Sequence, residues 1–116
     1  MGPFLSELDF LMDEPAVVAA IKAVIGDPYN QCYHASEAAY HLLGGRAAGY
    51  VPVVSRLTPN LTHWWLRRPD GTVLDITADQ FDFDYPYYTG KGCGFMTKHP
   101  SRPAQRIIEN FEHHPR

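Results

Sequence analysis

No run of apolar residues in this 116-residue chain approaches the roughly 18 that a membrane-spanning helix needs. Nor does it open on a basic stretch followed by an apolar one, so neither a span nor an export signal is expected, and a cytoplasmic location is. Cationic excess is missing as well. Ten Lys and Arg stand against 13 Asp and Glu, a formal charge of −3, which removes the electrostatic basis for general binding to nucleic-acid phosphates. Arg67 and Arg68, an adjacent basic pair beside an expected turn, are expected to be solvated. Two cysteines, Cys32 and Cys93, are too few for a disulfide scaffold and are expected as free thiols. No Cys-x-x-Cys or His-Glu-x-x-His spacing occurs, so no metal and no other cofactor is expected. His34 and His41, two turns apart on one expected helix, are read as surface or core histidines. Repeats and low-complexity segments are absent too.

What is present suits one globular domain over residues 1–116, with 45% hydrophobic content. Residues 1–12 carry Phe4, Leu5, Leu8, Phe10 and Leu11, which predicts a packed arm. Asp13-Glu14-Pro15, then Ala16 to Ile25, then Gly26, predicts a helix with an acidic start, an early proline and a terminating glycine. Asp27-Pro28-Tyr29-Asn30 is a turn. Gln31 to Leu43, ended by Gly44-Gly45, predicts a second helix with Asn30 as its N-cap, so that two helices fill residues 13–45. From Tyr50 the texture is β-type over residues 50–81, with runs at Val51 to Leu57, Thr62 to Arg67 and Thr72 to Thr77. Arg68-Pro69-Asp70-Gly71 joins the last two as an antiparallel hairpin. Residues 82–98, rich in glycine and aromatics, predict an ordered loop or short edge strands. Residues 101–112 form a third helix, started by Ser101 and Pro103, with Ile107, Ile108 and Phe111 on its apolar face. The fold class is α+β, a small antiparallel sheet with helices packed on one face.

Cys32 falls in the first turn of the second helix, where free N–H groups and the helix dipole favour a negative charge and lower a thiol below its usual value of about 8.5. Taken alone, a cysteine there is more often a small buried apolar residue. The hairpin changes that balance. His63 opens one strand and Asp75 lies near the end of its partner, opposite or diagonal on one face. A carboxylate on one imidazole nitrogen fixes the tautomer and leaves the other nitrogen to take a thiol proton. A slip of one residue in register would separate the two side chains. Trp64 and Trp65 point to opposite faces, and Trp65 is assigned to the substrate pocket. Gln80 is a further candidate for orienting a polar group. Tyr85, Tyr87 and Tyr88 suit a lid or binding face, with packing the role of at least two. Cys93, between glycines, ranks below Cys32, and Glu37 and Asp79 read as ordinary helix and turn residues.

Gln31-Cys32-Tyr33 opening a helix, then Thr62-His63-Trp64-Trp65, then Val73-Leu74-Asp75-Ile76-Thr77, resembles the core of the transglutaminase-like and papain-like superfamily. The rest of the chain, including Ala35-Ser36-Glu37-Ala38, Tyr40-His41-Leu42-Leu43-Gly44-Gly45, Thr77-Ala78-Asp79-Gln80-Phe81 and Gly92-Cys93-Gly94-Phe95, resembles small bacteriophage proteins. The superfamily resemblance implies a Cys32, His63, Asp75 triad and a cysteine-dependent hydrolase or acyltransferase acting on an amide, isopeptide or thioester. Its substrate would be a host protein or peptide-like molecule. Papain-like enzymes usually carry a glutamine several residues before the cysteine, and position 26 here is Gly26. Asn30, Gln31 or the Cys32 N–H is left to bind the oxyanion. The chain also lacks the second lobe that shapes a long substrate groove in larger relatives. The alternative expectation is a non-catalytic phage accessory protein that binds and inhibits a host protein through its Tyr85 to Phe95 loop.

Overall fold

A computed structural model of the chain describes residues 13–26, 31–95 and 100–113. The expected N-terminal arm, the turn at 27–30 and Asn30 lie outside the described residues. Helix α1 (Glu14–Ile25) starts where Asp13 Oδ2 accepts the Ala16 N–H at 3.3 Å, and it closes at Gly26, whose φ of 62° is a left-handed value glycine adopts without strain. Val17 and Ile21, four residues apart, bury the inner stripe of α1. Helix α2 (Cys32–Leu42) has Gln31 at its N-cap, without a capping side-chain bond. Cys32 is therefore the first helical residue, one place closer to the cap than the sequence suggested. Its buried alanines 35, 38 and 39 let neighbouring elements approach closely.

Strand β1 (Val51–Thr58) and strand β2 (Leu61–Arg67) form the longest ladder, with Val53 opposite Trp65 and Ser55 opposite His63. Strand β3 (Val73–Leu74) pairs with β2 through Leu66 and Leu74. Strand β4 (Lys91–Gly92) pairs with β1 through Val54 and Lys91. The order is β3-β2-β1-β4, all antiparallel. Helix α3 (Arg102–His113) follows Ser101, whose Oγ accepts the Ala104 N–H at 3.4 Å. The protein is thus α+β, with three helices and a four-stranded antiparallel sheet among the described residues.

Two expectations need correction. Strand β3 stops at Leu74 instead of running to Thr77, because the Asp75 carboxylate takes the Thr77 N–H at 3.2 Å and turns the chain into a short 3-10 helix at Ala78–Gln80. Arg68 is not simply solvated. Its Nε donates to Glu14 Oε2 at 2.8 Å, and Nη1 reaches the Val73 carbonyl and Thr72, tying the hairpin to α1. Glu14 also accepts from the Tyr50 hydroxyl at 2.9 Å. Burial, with help from that bond, pushes the Tyr50 phenol up to about 12.

The sheet carries a core on each face. Val17 and Ile21 of α1, Ala38 and Leu42 of α2 and Ile107 of α3 meet Leu66, Leu74 and Ile76. Val53, Trp65 and Tyr85 form a second cluster, with Phe81 and Tyr87 packed on it. The loop after β3 therefore covers the sheet as the helices do.

Candidate active site

Alternation along β2 sends His63 and Trp65 to one side and Trp64 and Leu66 to the other. The His63 side chain is fully buried. Its ring lies 4.7 Å from Phe81, 4.9 Å from Tyr85 and 5.5 Å from Trp65, centroid to centroid. Continuing the β2–β3 register sets Asp75 opposite Trp65 and diagonal to His63, as the hairpin argument requires. The His63 Nε2 to Asp75 Oδ2 distance is 2.6 Å, and both side chains are out of solvent.

Asp75 is held from three directions. The Tyr87 hydroxyl donates to the same Oδ2 at 2.6 Å, and the Thr77 N–H donates to Oδ1. Gln80 Nε2 donates to Thr77 Oγ1 at 3.0 Å, so Gln80 braces the turn that carries Asp75. Burial first, then the bond to Asp75 and its charge, hold the Tyr87 phenol far above its ordinary range, so it remains a donor.

Burial is the largest influence on His63 and works against its protonation. Hydrogen bonding to Asp75 and Cys32, with the charge of each, outweighs it and pushes the imidazole up to about 9. The Cys32 thiol, half-buried, is therefore near enough to act on the ring. Nδ1 is buried without a bond of ordinary geometry. With Nε2 committed to Asp75, Nδ1 is the ring nitrogen left for the thiol.

The other expected residues separate. Gln31 is half-buried and lines a groove with Val24, Ile25, Pro103, Arg106 and Ile107. The Cys32 N–H, in the first turn of α2, lacks an intrahelical partner by helix geometry. Trp65 is only 2% exposed and takes a core position, whereas the partly exposed indole is Trp64, packed on Tyr33 and stacked on Phe95. Cys93 is a free thiol beside β4, and burial pushes it up. Tyr85 is buried and Tyr87 half-buried, but Tyr88 is 90% exposed. His34 Nδ1 lies 3.2 Å from Ser101 Oγ, and the fully buried Glu37 accepts the Ser101 N–H at 3.1 Å, capping α3. Sequence reasoning missed Tyr87 as the second donor to Asp75, and it missed Phe81 beside the imidazole. The only local signal was the concentration of aromatics after Asp75.

Comparison with known proteins found no family model, no curated protein and no solved structure that matches the chain. Among the described residues no helix is long and apolar enough to cross a membrane.

Proposed function

We propose that the protein is a cysteine-dependent hydrolase or acyltransferase acting on an amide, isopeptide or thioester. The observation that carries this reading is the buried His63 imidazole, bonded at Nε2 to Asp75 and influenced by the Cys32 thiol. In the proposed reaction the proton shared between Cys32 and His63 rests on Nδ1, and the sulfur, as the thiolate beside the imidazolium, attacks the substrate carbonyl carbon. The Cys32 N–H receives the oxyanion. Collapse expels the leaving group, which takes the proton back from Nδ1, and a thioester remains on Cys32. Water or an acceptor nucleophile, deprotonated in turn by His63, then attacks the thioester and frees the thiol. Asp75 keeps its charge throughout and steadies the imidazolium.

A second reading, a non-catalytic phage accessory protein that occupies a host protein, draws on the exposed Phe83 and Tyr88 of the covering loop, at 49% and 90% exposure. Alkylation separates the two. Iodoacetamide near neutral pH should label Cys32 at least about tenfold faster than Cys93, because an imidazolium beside the thiol favours the reactive thiolate. His63→Ala should remove most of that advantage. Equal labelling of the two cysteines, or a Cys32 rate that ignores His63→Ala, favours the binding module.

A further inference from the structure

Val54 and Arg56 leave β1 on one face. Lys91 stands opposite Val54 on β4, and Thr62 stands opposite Arg56 on β2. Together with Thr89 these side chains line a cavity of about 350 Å³, near the lower end of the range for small-molecule sites. The register makes Arg56 and Lys91 diagonal neighbours, a spacing of roughly 7–8 Å with the Cβ atoms somewhat closer. Neither cation has an ion-pair partner among the described residues, where Lys22 pairs with Asp79 and Arg68 with Glu14. In a chain of net charge −3, two unneutralised cations turned toward one hollow repel each other and leave a local positive potential. A compact anion would relieve that repulsion.

We propose that this hollow is a binding site for a compact oxyanion of the phosphate or phosphomonoester class. Arg56 offers paired N–H donors in a plane and Lys91 a compact charge, which together suit a doubly charged group with several oxygens better than a single carboxylate. The Thr62 hydroxyl is the neutral donor on that wall. The Thr89 hydroxyl is already engaged, donating to the Pro86 carbonyl at 2.7 Å and lying 2.6 Å from Ser55 Oγ, so it fixes the wall in place. Both cations are exposed, which makes the site weak and sensitive to salt. Thr62 precedes His63, and Thr89 follows Tyr87 by two residues, so this hollow and the candidate active site share β2 and one turn. The inference nevertheless stands whether or not Cys32 is a nucleophile.

Inorganic phosphate, titrated at low ionic strength into the ¹⁵N-labelled full chain, tests the site. The amides of Thr62, Thr89 and Lys91 should shift together and saturate in the low-millimolar range. Acetate should bind at least about threefold more weakly, since it carries half the charge. Arg56→Gln with Lys91→Gln should weaken phosphate at least about tenfold without lowering the melting temperature. Phenyl phosphate in a parallel titration separates the sources: tighter binding than phosphate supports an ester ligand, and equal binding supports the free ion. Shifts that never saturate, that chloride reproduces at matched ionic strength, or that survive the double substitution overturn the proposal.

Discussion

Because folding raises the His63 imidazole from the ordinary 6.5 to about 9, the folded protein binds this proton more tightly than the unfolded chain does. That preference is fully expressed below pH 6.5, where both states are protonated at this site, and it is lost as pH rises through about 9. The gap corresponds to about 3 kcal/mol at most. The side chain is wholly buried, so solvent screening does little to reduce the figure. Between pH 6.5 and 9 stability should therefore fall by about 1 kcal/mol per pH unit, out of a total of roughly 5–15 kcal/mol for a small domain. Urea unfolding followed by circular dichroism across that range reads it directly. With a slope of about 1–3 kcal/mol per molar urea, the midpoint should drop by roughly 1 M or more. Asp75→Asn removes the charge that favours the imidazolium while keeping the shape, so it should lower the plateau near pH 6 and flatten the fall above it. A midpoint that is level from pH 6.5 to 9, or a slope unchanged by Asp75→Asn, would refute the linkage of His63 to Asp75.

Two further substitutions probe the covering loop. A Cβ on Gly90 would sit 2.3 Å from Trp65 Cζ2 and 2.5 Å from Val53 Cγ1, so Gly90→Ala should cost about 2–3 kcal/mol by overpacking, seen as a melting temperature lower by roughly 8 °C or more; an unchanged value would mean that the loop is not seated on β1 and β2. Tyr87→Phe leaves His63 as the remaining donor to Asp75 Oδ2, so the less neutralised carboxylate should hold the imidazolium more strongly and the NMR titration midpoint of His63 should rise. Stability should fall by about 1 kcal/mol with the lost bond. A midpoint that stays or falls would show that the two donors do not compete for that oxygen.

Local chemistry explains why some elements were legible and others were not. Helix α1 was readable because Asp13, Pro15 and Gly26 punctuate it, each acting within a turn of its own position. Strand β3 was overrun because the β-type texture through Thr77 says nothing of where Asp75 spends its oxygens. Once Oδ1 takes the Thr77 N–H, the backbone turns and the ladder stops. Glu37 is the opposite case. It reads as an ordinary helix residue and is fully buried, because the start of α3, 64 residues further on, docks its Ser101 N–H onto the carboxylate. Nothing near Glu37 in the chain encodes that arrival.

The same division runs through the candidate site. His63 and Asp75 lie 12 residues apart in one hairpin, so pairing geometry alone makes them neighbours, and their contact follows from turn and register. Tyr87 is equally far from Asp75 in sequence, yet no ladder joins them. Its hydroxyl reaches Oδ2 because Thr89 bonds Ser55 on β1 and because Lys91 pairs with Val54 just beyond. The choice between Trp64 and Trp65 failed for a related reason. Alternation establishes that the two indoles face apart, but which one is covered depends on what lies over each face. Here both faces are covered, by the helices on one side and by Phe81, Tyr85 and Tyr87 on the other. That second layer seals the His63–Asp75 pair away from water, where each charge matters more to its partner than it would at a surface.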